Sequence, residues 1–216
     1  MKRAFDLILS ISAFILLAPF FAGLALLVKL DSAGPVFFRG IRIGRGGHPF
    51  RIFKFRSMVQ DAERRGPSST SDGDVRVTRS GRFLRRYKLD ELPQLLNVIA
   101  GEMSLVGPRP QVAWAVERYT EEERAVLSLR PGITDCASLL FRNEGEILRG
   151  SDDPDGDYFI KIHPRKMRLS LEYVRQQSLW LDCKIIACTL AALVARNPEM
   201  SAAGEKDQGQ VVEKIL

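Results

Sequence analysis

Two adjacent carboxylates, Asp90 and Glu91, stand directly behind a run of cations. From Arg76 to Lys88 the chain reads RVTRSGRFLRRYK, with six cationic side chains and no acidic one. Such a run suits a polyanion, and the two acids at its edge suit two chemistries. One carboxylate can attack phosphorus and form an acyl phosphate, while its neighbour binds a metal ion. A diphosphate would be repelled by both acids, at about 4 kcal/mol per unit charge pair for ~4 Å and an effective dielectric of ~20. Arg85, Arg86 and Lys88 offset that repulsion, and Mg²⁺ suits the gap because it takes few protein carboxylates and fills its shell with phosphate and water oxygens. Arginines, including Arg109 in the turn GPRP, would stabilise a transferring phosphoryl group. Spacing alone leaves a second reading open: an acidic pair at a helix start is also an N-terminal cap that complements the helix dipole.

Composition narrows the chemistry. A chain of 216 residues can bury a full core. Its net charge of +6 fits nucleic acid, anionic lipid or phosphorylated small molecules alike. The basic stretches lack interleaved exposed aromatics for base stacking, so no nucleic-acid partner is expected. Cys136, Cys183 and Cys188 show no metal-ligand spacing and fit a reducing compartment. The only histidines, His48 and His163, lie far apart, which disfavours a His-based metal site or a Ser-His-Asp triad. Carboxylates are left to do the work.

The elements that must position them begin at a membrane. No charge falls between Asp6 and Lys29, and those 22 residues would make a helix of about 33 Å, enough for a hydrocarbon core. The run is too long for a signal peptide. Pro19 removes a backbone donor near the middle and predicts a kink. Each half, about 12 residues or 18 Å, enters one leaflet without crossing. Lys2 and Arg3 precede the segment while Lys29, Arg39, Arg42 and Arg45 follow it, so both ends favour the cytoplasmic side. A re-entrant helix broken at Pro19 satisfies both constraints; a plain span is the alternative.

The rest reads as an α+β, mostly helical domain. VFFRGIRIGRGGHPFRIFKFRSM alternates apolar and basic residues around a Gly-rich loop, which predicts a short β-hairpin with a cationic face. Arg76, Arg79, Arg82 and Arg85 recur at helical steps, and the first three could lie against anionic headgroups. LDELPQLLNVIAG predicts a helix from Asp90 to Gly101 with Leu92, Leu95, Leu96 and Ile99 buried. QVAWAVERYTEEERAVLSL predicts one amphipathic helix, and residues 165–196 another long one. The expected organisation is a membrane helix at 1–32, a cytoplasmic catalytic domain at 33–196, and a flexible tail at 197–216.

Four motifs in order, KFRSM, LDELPQLLNV, MSLVGPRP and RPGIT, with KRAFD ahead of the apolar run, resemble the monotopic phosphoglycosyl transferases, also called bacterial sugar transferases. The resemblance runs from about residue 2 to residue 196 and is of the minimal form, without a preceding membrane bundle. It implies transfer of a sugar phosphate from a UDP-sugar to a polyprenol (undecaprenyl) phosphate, with UMP released in a ping-pong scheme. It further implies Asp90 as nucleophile and Glu91 as Mg²⁺ ligand. Lys54, Arg56, Arg85, Arg109, Arg130 and Arg142 would contact substrate, and Asp182 in LWLDCKI would support the site. The setting would be monotopic on the cytoplasmic face of a bacterial inner membrane, among membrane lipids and downstream glycosyltransferases. Two segments depart from the family pattern: Ala18-Pro19 replaces Ser-Pro at the helix break, and DCASLLFRNEGEIL follows RPGIT, with Phe141, Arg142 and Asn143 as candidate nucleotide contacts. The competing readings are a glycosyltransferase that releases UDP and a membrane-tethered basic module without catalysis.

Overall fold

A computed structural model describes residues 1–67, 69–70, 73–141 and 144–194. The tail expected at 197–216 lies outside them, as do Arg142 and Asn143. The chain opens with two helices, α1 (Lys2–Leu16) and α2 (Ala18–Asp31), which bend by 64° at their junction. The break falls at Leu17, and Pro19 sits in the first turn of α2, where its missing N–H costs nothing. No single helix among the described residues is long and apolar enough to cross a membrane; the bent pair passes that test together, by length and composition.

The pair is only partly embraced by the rest of the chain. Phe21, Leu24 and Val28 of α2 are buried with Phe55, Leu84 and Leu95. Ile8, Ile11, Ile15 and Leu16 of α1, and Phe20, Leu26 and Leu30 of α2, are exposed. So broad an apolar surface on one element calls for an apolar environment. Within α1 the buried residues are Asp6 and Ser10; Asp6, at 2 % exposure, accepts from the Ser104 hydroxyl at 2.8 Å and the Leu105 amide at 3.3 Å. Asp6→Ala orphans both donors, and hydrogen bonds to a buried charge contribute about 1.5–3 kcal/mol each. The variant is expected to unfold with about 3 kcal/mol less stability or more, read by thermal melting in detergent.

Strands β1 (Phe37–Phe38) and β4 (Lys54–Phe55) pair antiparallel, and between them β2 (Ile41–Ile43) pairs antiparallel with β3 (Pro49–Arg51). The Ile52 amide donates to the Gly40 carbonyl at 3.0 Å and joins the two ladders into one nested hairpin. Phe50, Ile52 and Phe55 turn inward while Arg39 and Arg51 stay outside, as the alternation predicts. Next comes α3 (Arg79–Arg86). Thr78 caps it by accepting from the Gly81 amide at 3.0 Å, and Asp31, at the end of α2, accepts from the Ser80 amide at 2.9 Å. Gly81 is no weakness here: a Cβ at this position would lie 1.9 Å from the Ser57 carbonyl oxygen. Arg76 precedes the helix and is buried against Asp74, at 2.6 Å, so it does not reach headgroups.

Helix α4 (Gln94–Ala100) ends at Gly101 in the left-handed region. Strands β5 (Ser104–Val106) and β6 (Gly132–Thr134) pair in parallel. Gly107 and Gly132 cross so closely that a Cβ on Gly132 would meet the Gly107 nitrogen at 2.1 Å. That crossing gives the glycines of GPRP and RPG one shared purpose. The predicted helix over 111–129 is instead α5 (Ala113–Val116) and a 3-10 segment Glu123–Ser128. Thr120 and Glu123 exchange bonds, Thr120 amide to Glu123 Oε2 at 2.8 Å and Glu123 amide to Thr120 Oγ1 at 3.2 Å. This capping box starts a new helical segment there.

Short helices α6 (Cys136–Leu140), α7 (Glu144–Ile147) and α8 (Pro154–Asp157) lead through a π-helical turn, Tyr158–Ile162, into α9 (His163–Gln176) and α10 (Leu179–Val194). The long helix expected over 165–196 is thus two. Gln177 is extended, and Ser178 Oγ accepts from the Leu181 amide at 3.2 Å to begin α10. Val106, Cys136, Leu139, Tyr173, Leu181 and Ile185 close a core between β5, α6, α9 and α10.

Candidate active site

The segment that carries the two carboxylates is shaped by its neighbours in sequence. Lys88 adopts φ 55, ψ 21, a left-handed conformation that costs a non-glycine residue about 1 kcal/mol. The chain turns there out of α3 into the 3-10 segment Leu89–Glu91. The helix expected to begin at Asp90 therefore begins as α4 only at Gln94, and Asp90 and Glu91 sit on a separate tight turn. Their side chains are buried at its floor. The predicted apolar stripe of α4 is also corrected: Leu95 is buried, but Leu92, Leu96 and Ile99 are only partly so, and Gln94 and Asn97 fill the interior. Asn97 Oδ1 accepts from the Phe53 amide at 2.8 Å, and its Nδ2 donates to the Arg51 carbonyl at 2.9 Å. The amide thus staples the hairpin to α4 and brings Lys54, one residue on, to Glu91.

Glu91 is held from two sides. Lys54 Nζ donates to Oε1 at 2.9 Å, Arg109 Nη1 donates to Oε2 at 3.1 Å, and Arg109 Nη2 also donates to Oε1. Burial opposes ionisation of Glu91, yet the Arg109 and Lys54 charges outweigh it and hold its carboxyl well below the ordinary range. The same charge raises Arg109. Burial pulls Lys54 downward against the Glu91 charge. Asp90 is treated differently by the fold. Its Oδ1 is buried with no hydrogen-bond partner. Burial first, and then the Glu91 charge, push its pKa up, against the pull of Lys54, Arg85 and Lys88. The two neighbouring acids are therefore in different states: Glu91 is held ionised by its cationic partners, and Asp90 is desolvated with its pKa raised.

Both face a cavity of about 950 Å³. Among the described residues eight cationic side chains line it, including Lys54, Arg82, Arg85, Lys88 and Arg109, against four carboxylates. Its charge and size fit a phosphorylated ligand larger than a mononucleotide. Asp90 and Glu91 both line the cavity, and Glu91 Oε2, which accepts one bond only, keeps acceptor capacity for a cation. Among the described residues no group of three or more His, Cys, Asp or Glu side chains forms a metal cage. The donors present therefore fit Mg²⁺, which keeps most of its shell for phosphate and water, and do not fit a cation that needs a full protein cage.

The predicted substrate contacts divide. Lys54, Arg85 and Arg109 line the cavity. Arg56 does not: its Nη2 donates to the Ser32 carbonyl at 2.6 Å and to the Ser32 hydroxyl at 3.0 Å, so it caps the end of α2. Arg130 donates through Nε to the Gly101 carbonyl at 2.9 Å, at the end of α4. Asp182 binds Lys2 and accepts from the Tyr173 hydroxyl at 2.6 Å, which ties the start of α1 to α9 and α10. These three hold the scaffold together away from the cavity. Phe141 is core, packed with Leu148, Tyr158 and Ile162. Trp180 is 71 % exposed on α10.

The chain matches the sequence profile described as bacterial sugar transferase over residues 1–196. It belongs to the bacterial sugar transferase family. Among curated members, the UDP-N-acetylgalactosamine-undecaprenyl-phosphate N-acetylgalactosaminephosphotransferase of Aeromonas hydrophila is 37 % identical over 196 residues, covering 89 % of this chain and 43 % of that protein. The undecaprenyl-phosphate glucose phosphotransferase of Komagataeibacter xylinus is 42 % identical over 200 residues, covering 88 % and 35 % respectively. The chain thus spans less than half the length of these two family members. The exopolysaccharide production protein PSS of Rhizobium leguminosarum bv. phaseoli is 39 % identical over 203 residues, covering 91 % of this chain and 96 % of its own length.

Within this family member the structure adds residues that sequence reading passed over. Lys166, which is buried, and Glu144, which is half-exposed, form a second charge pair on the cavity lining. Burial lowers Lys166 against the Glu144 charge. Gln111 donates to the Tyr158 hydroxyl at 3.2 Å, and Trp114 and Phe159 complete that part of the lining. The unusual FRNEGEIL segment carried the signal for Glu144; the others lie on turns whose meeting no local pattern announces.

Proposed function

We propose that the chain transfers a sugar phosphate from a UDP-sugar to a polyprenol phosphate, releasing UMP through a covalent intermediate on Asp90. The observation that carries this reading is the contrast within the acidic pair. Glu91 is clamped by Lys54 and Arg109, while Asp90 lines the same cationic cavity with its Oδ1 buried and unpartnered. Lys54, Arg85 and Arg109 receive the diphosphate. An Asp90 oxygen attacks the phosphorus that bears the sugar; the bond from that phosphorus to the bridging oxygen breaks, and UMP leaves with the electron pair. A polyprenol phosphate oxygen then attacks the same phosphorus, and the Asp90 O–P bond breaks to give a polyprenol diphosphate sugar and free carboxylate. Glu91 would hold Mg²⁺ together with the phosphates, where it would neutralise charge developing on phosphate oxygen. Names of relatives that act on UDP-sugars and undecaprenyl phosphate support the substrate pair.

The test is the nucleotide product. Given UDP-sugar, Mg²⁺ and polyprenol phosphate, the chain is expected to release UMP. Release of UDP alone would mean transfer of the sugar without its phosphate, and no release of either would mean binding without catalysis.

The membrane setting belongs to the same proposal. The 64° bend, the exposed apolar residues of α1 and α2, and cations at both ends support a helix pair that enters and leaves on the cytoplasmic side of a bacterial inner membrane. In a chain whose native cysteines are replaced, Ala4→Cys and Ala33→Cys are expected to react with the same membrane-impermeant reagent from the same side. Labelling from opposite sides would establish a span.

A further inference from the structure

One part of the cavity lining is unlike the rest. Trp114 of α5 and Phe159 of the π-helical turn both line it, half-buried, with ring centroids 5.6 Å apart and tilted by 52°. The Arg118 guanidinium lies 5.0 Å from each ring. Tyr158 meets Phe159 edge-on at 83°, and both line the cavity although they are consecutive in a helical segment. The π turn permits this, since its extra residue turns the helix and shifts which neighbours share a face; such turns recur at functional sites. Neither the acid pair nor phosphate recognition needs this aromatic wall. It also stands apart from the apolar cluster of α1 and α2, from which a lipid chain would enter.

A charged floor with an aromatic wall suits a ligand that joins a diphosphate to a planar ring. Four residues lie between Arg109 and Trp114, so their backbones are at most about 18 Å apart, within the span of a nucleoside diphosphate. Gln111 lies between them in sequence and lines the same cavity, offering an amide to a base edge. We propose that Trp114 and Phe159 form the nucleobase subsite, with Gln111 facing the polar edge of the base. This inference rests on the nucleotide-sugar reading above and names which residues select the nucleotide.

The experiment compares two probes on the full chain in detergent, UMP and inorganic pyrophosphate, by titration calorimetry. Stacking on an aromatic ring strengthens binding of a base enough that Trp114→Ala and Phe159→Leu should each weaken UMP about tenfold. Pyrophosphate affinity should change by less than about twofold, because no ring is stacked. Trp114→Phe and Phe159→Tyr should recover most of the UMP affinity, which a misfolded site would not. Equal weakening of both probes would overturn the inference, since the rings would then merely shape the site. A raised KM for polyprenol phosphate with unchanged UMP binding would overturn it too and give the wall to the lipid. These binding readouts do not depend on turnover, so failure of UMP release in the product test remains distinguishable.

Discussion

Asp90→Asn should lower turnover by about 10³-fold or more, while the donor still binds. The amide keeps the size of the side chain and removes only the anionic oxygen, so Lys54, Arg85 and Arg109 remain to hold phosphate. Loss of kcat with little change in donor affinity is the signature of a nucleophile; loss of affinity alone would make Asp90 a binding residue. A pH profile checks the same point. Burial and the Glu91 charge raise the Asp90 pKa above that of an ordinary carboxylate, and only the ionised form attacks. Activity should therefore fall as pH drops through that raised value, at higher pH than an ordinary aspartate would give. In Glu91→Gln, with the neighbouring charge gone, that acid limb should move to lower pH.

The second large effect is expected at Arg109. Its two donors reach both Glu91 oxygens, and it sits in the turn fixed by the Gly107–Gly132 crossing. Arg109→Ala leaves Glu91 buried with Lys54 as its remaining cationic partner and removes a charge from the phosphate site. A loss of about 10²–10³-fold in kcat/KM is expected, the range seen when one preorganised donor at a developing charge is removed. Arg109→Lys should recover little of it, because an ammonium cannot make the two-pronged contact. The Glu91 clamp would be refuted as a catalytic element if the lysine variant matched the native rate.

How much of this was legible in the sequence follows from the range of the interactions. The acidic pair, Lys54, Arg85 and Arg109 could be singled out because their motifs are local and ordered along the chain. The bend near Pro19 and the nested hairpin were readable for the same reason, since proline chemistry and strand alternation act between neighbours. Arg56, Arg130 and Asp182 belong to the same motif-rich segments, yet each serves a helix end or the start of α1. Motif membership does not say which way a side chain faces. The helix expected over 111–129 failed for a readable cause: Thr120 and Glu123 have capping-box spacing, and local side-chain bonds overrode the apolar period. Ser178 divides α9 from α10 in the same manner. Asn97 was hidden in a leucine-rich stripe, where only the hairpin packed against it reveals its use. The meeting of Glu144 with Lys166, and of Trp114 with Phe159, is set by tertiary packing alone.

The most direct measurement supplies a labelled UDP-sugar and Mg²⁺ without any lipid acceptor, followed by mass spectrometry of the chain. The peptide that contains Asp90 should gain the mass of one sugar phosphate, with one equivalent of UMP released and no gain in Asp90→Asn. An unmodified peptide from a chain that does release UMP once polyprenol phosphate is added would show direct transfer between substrates, and would contradict the role assigned to Asp90.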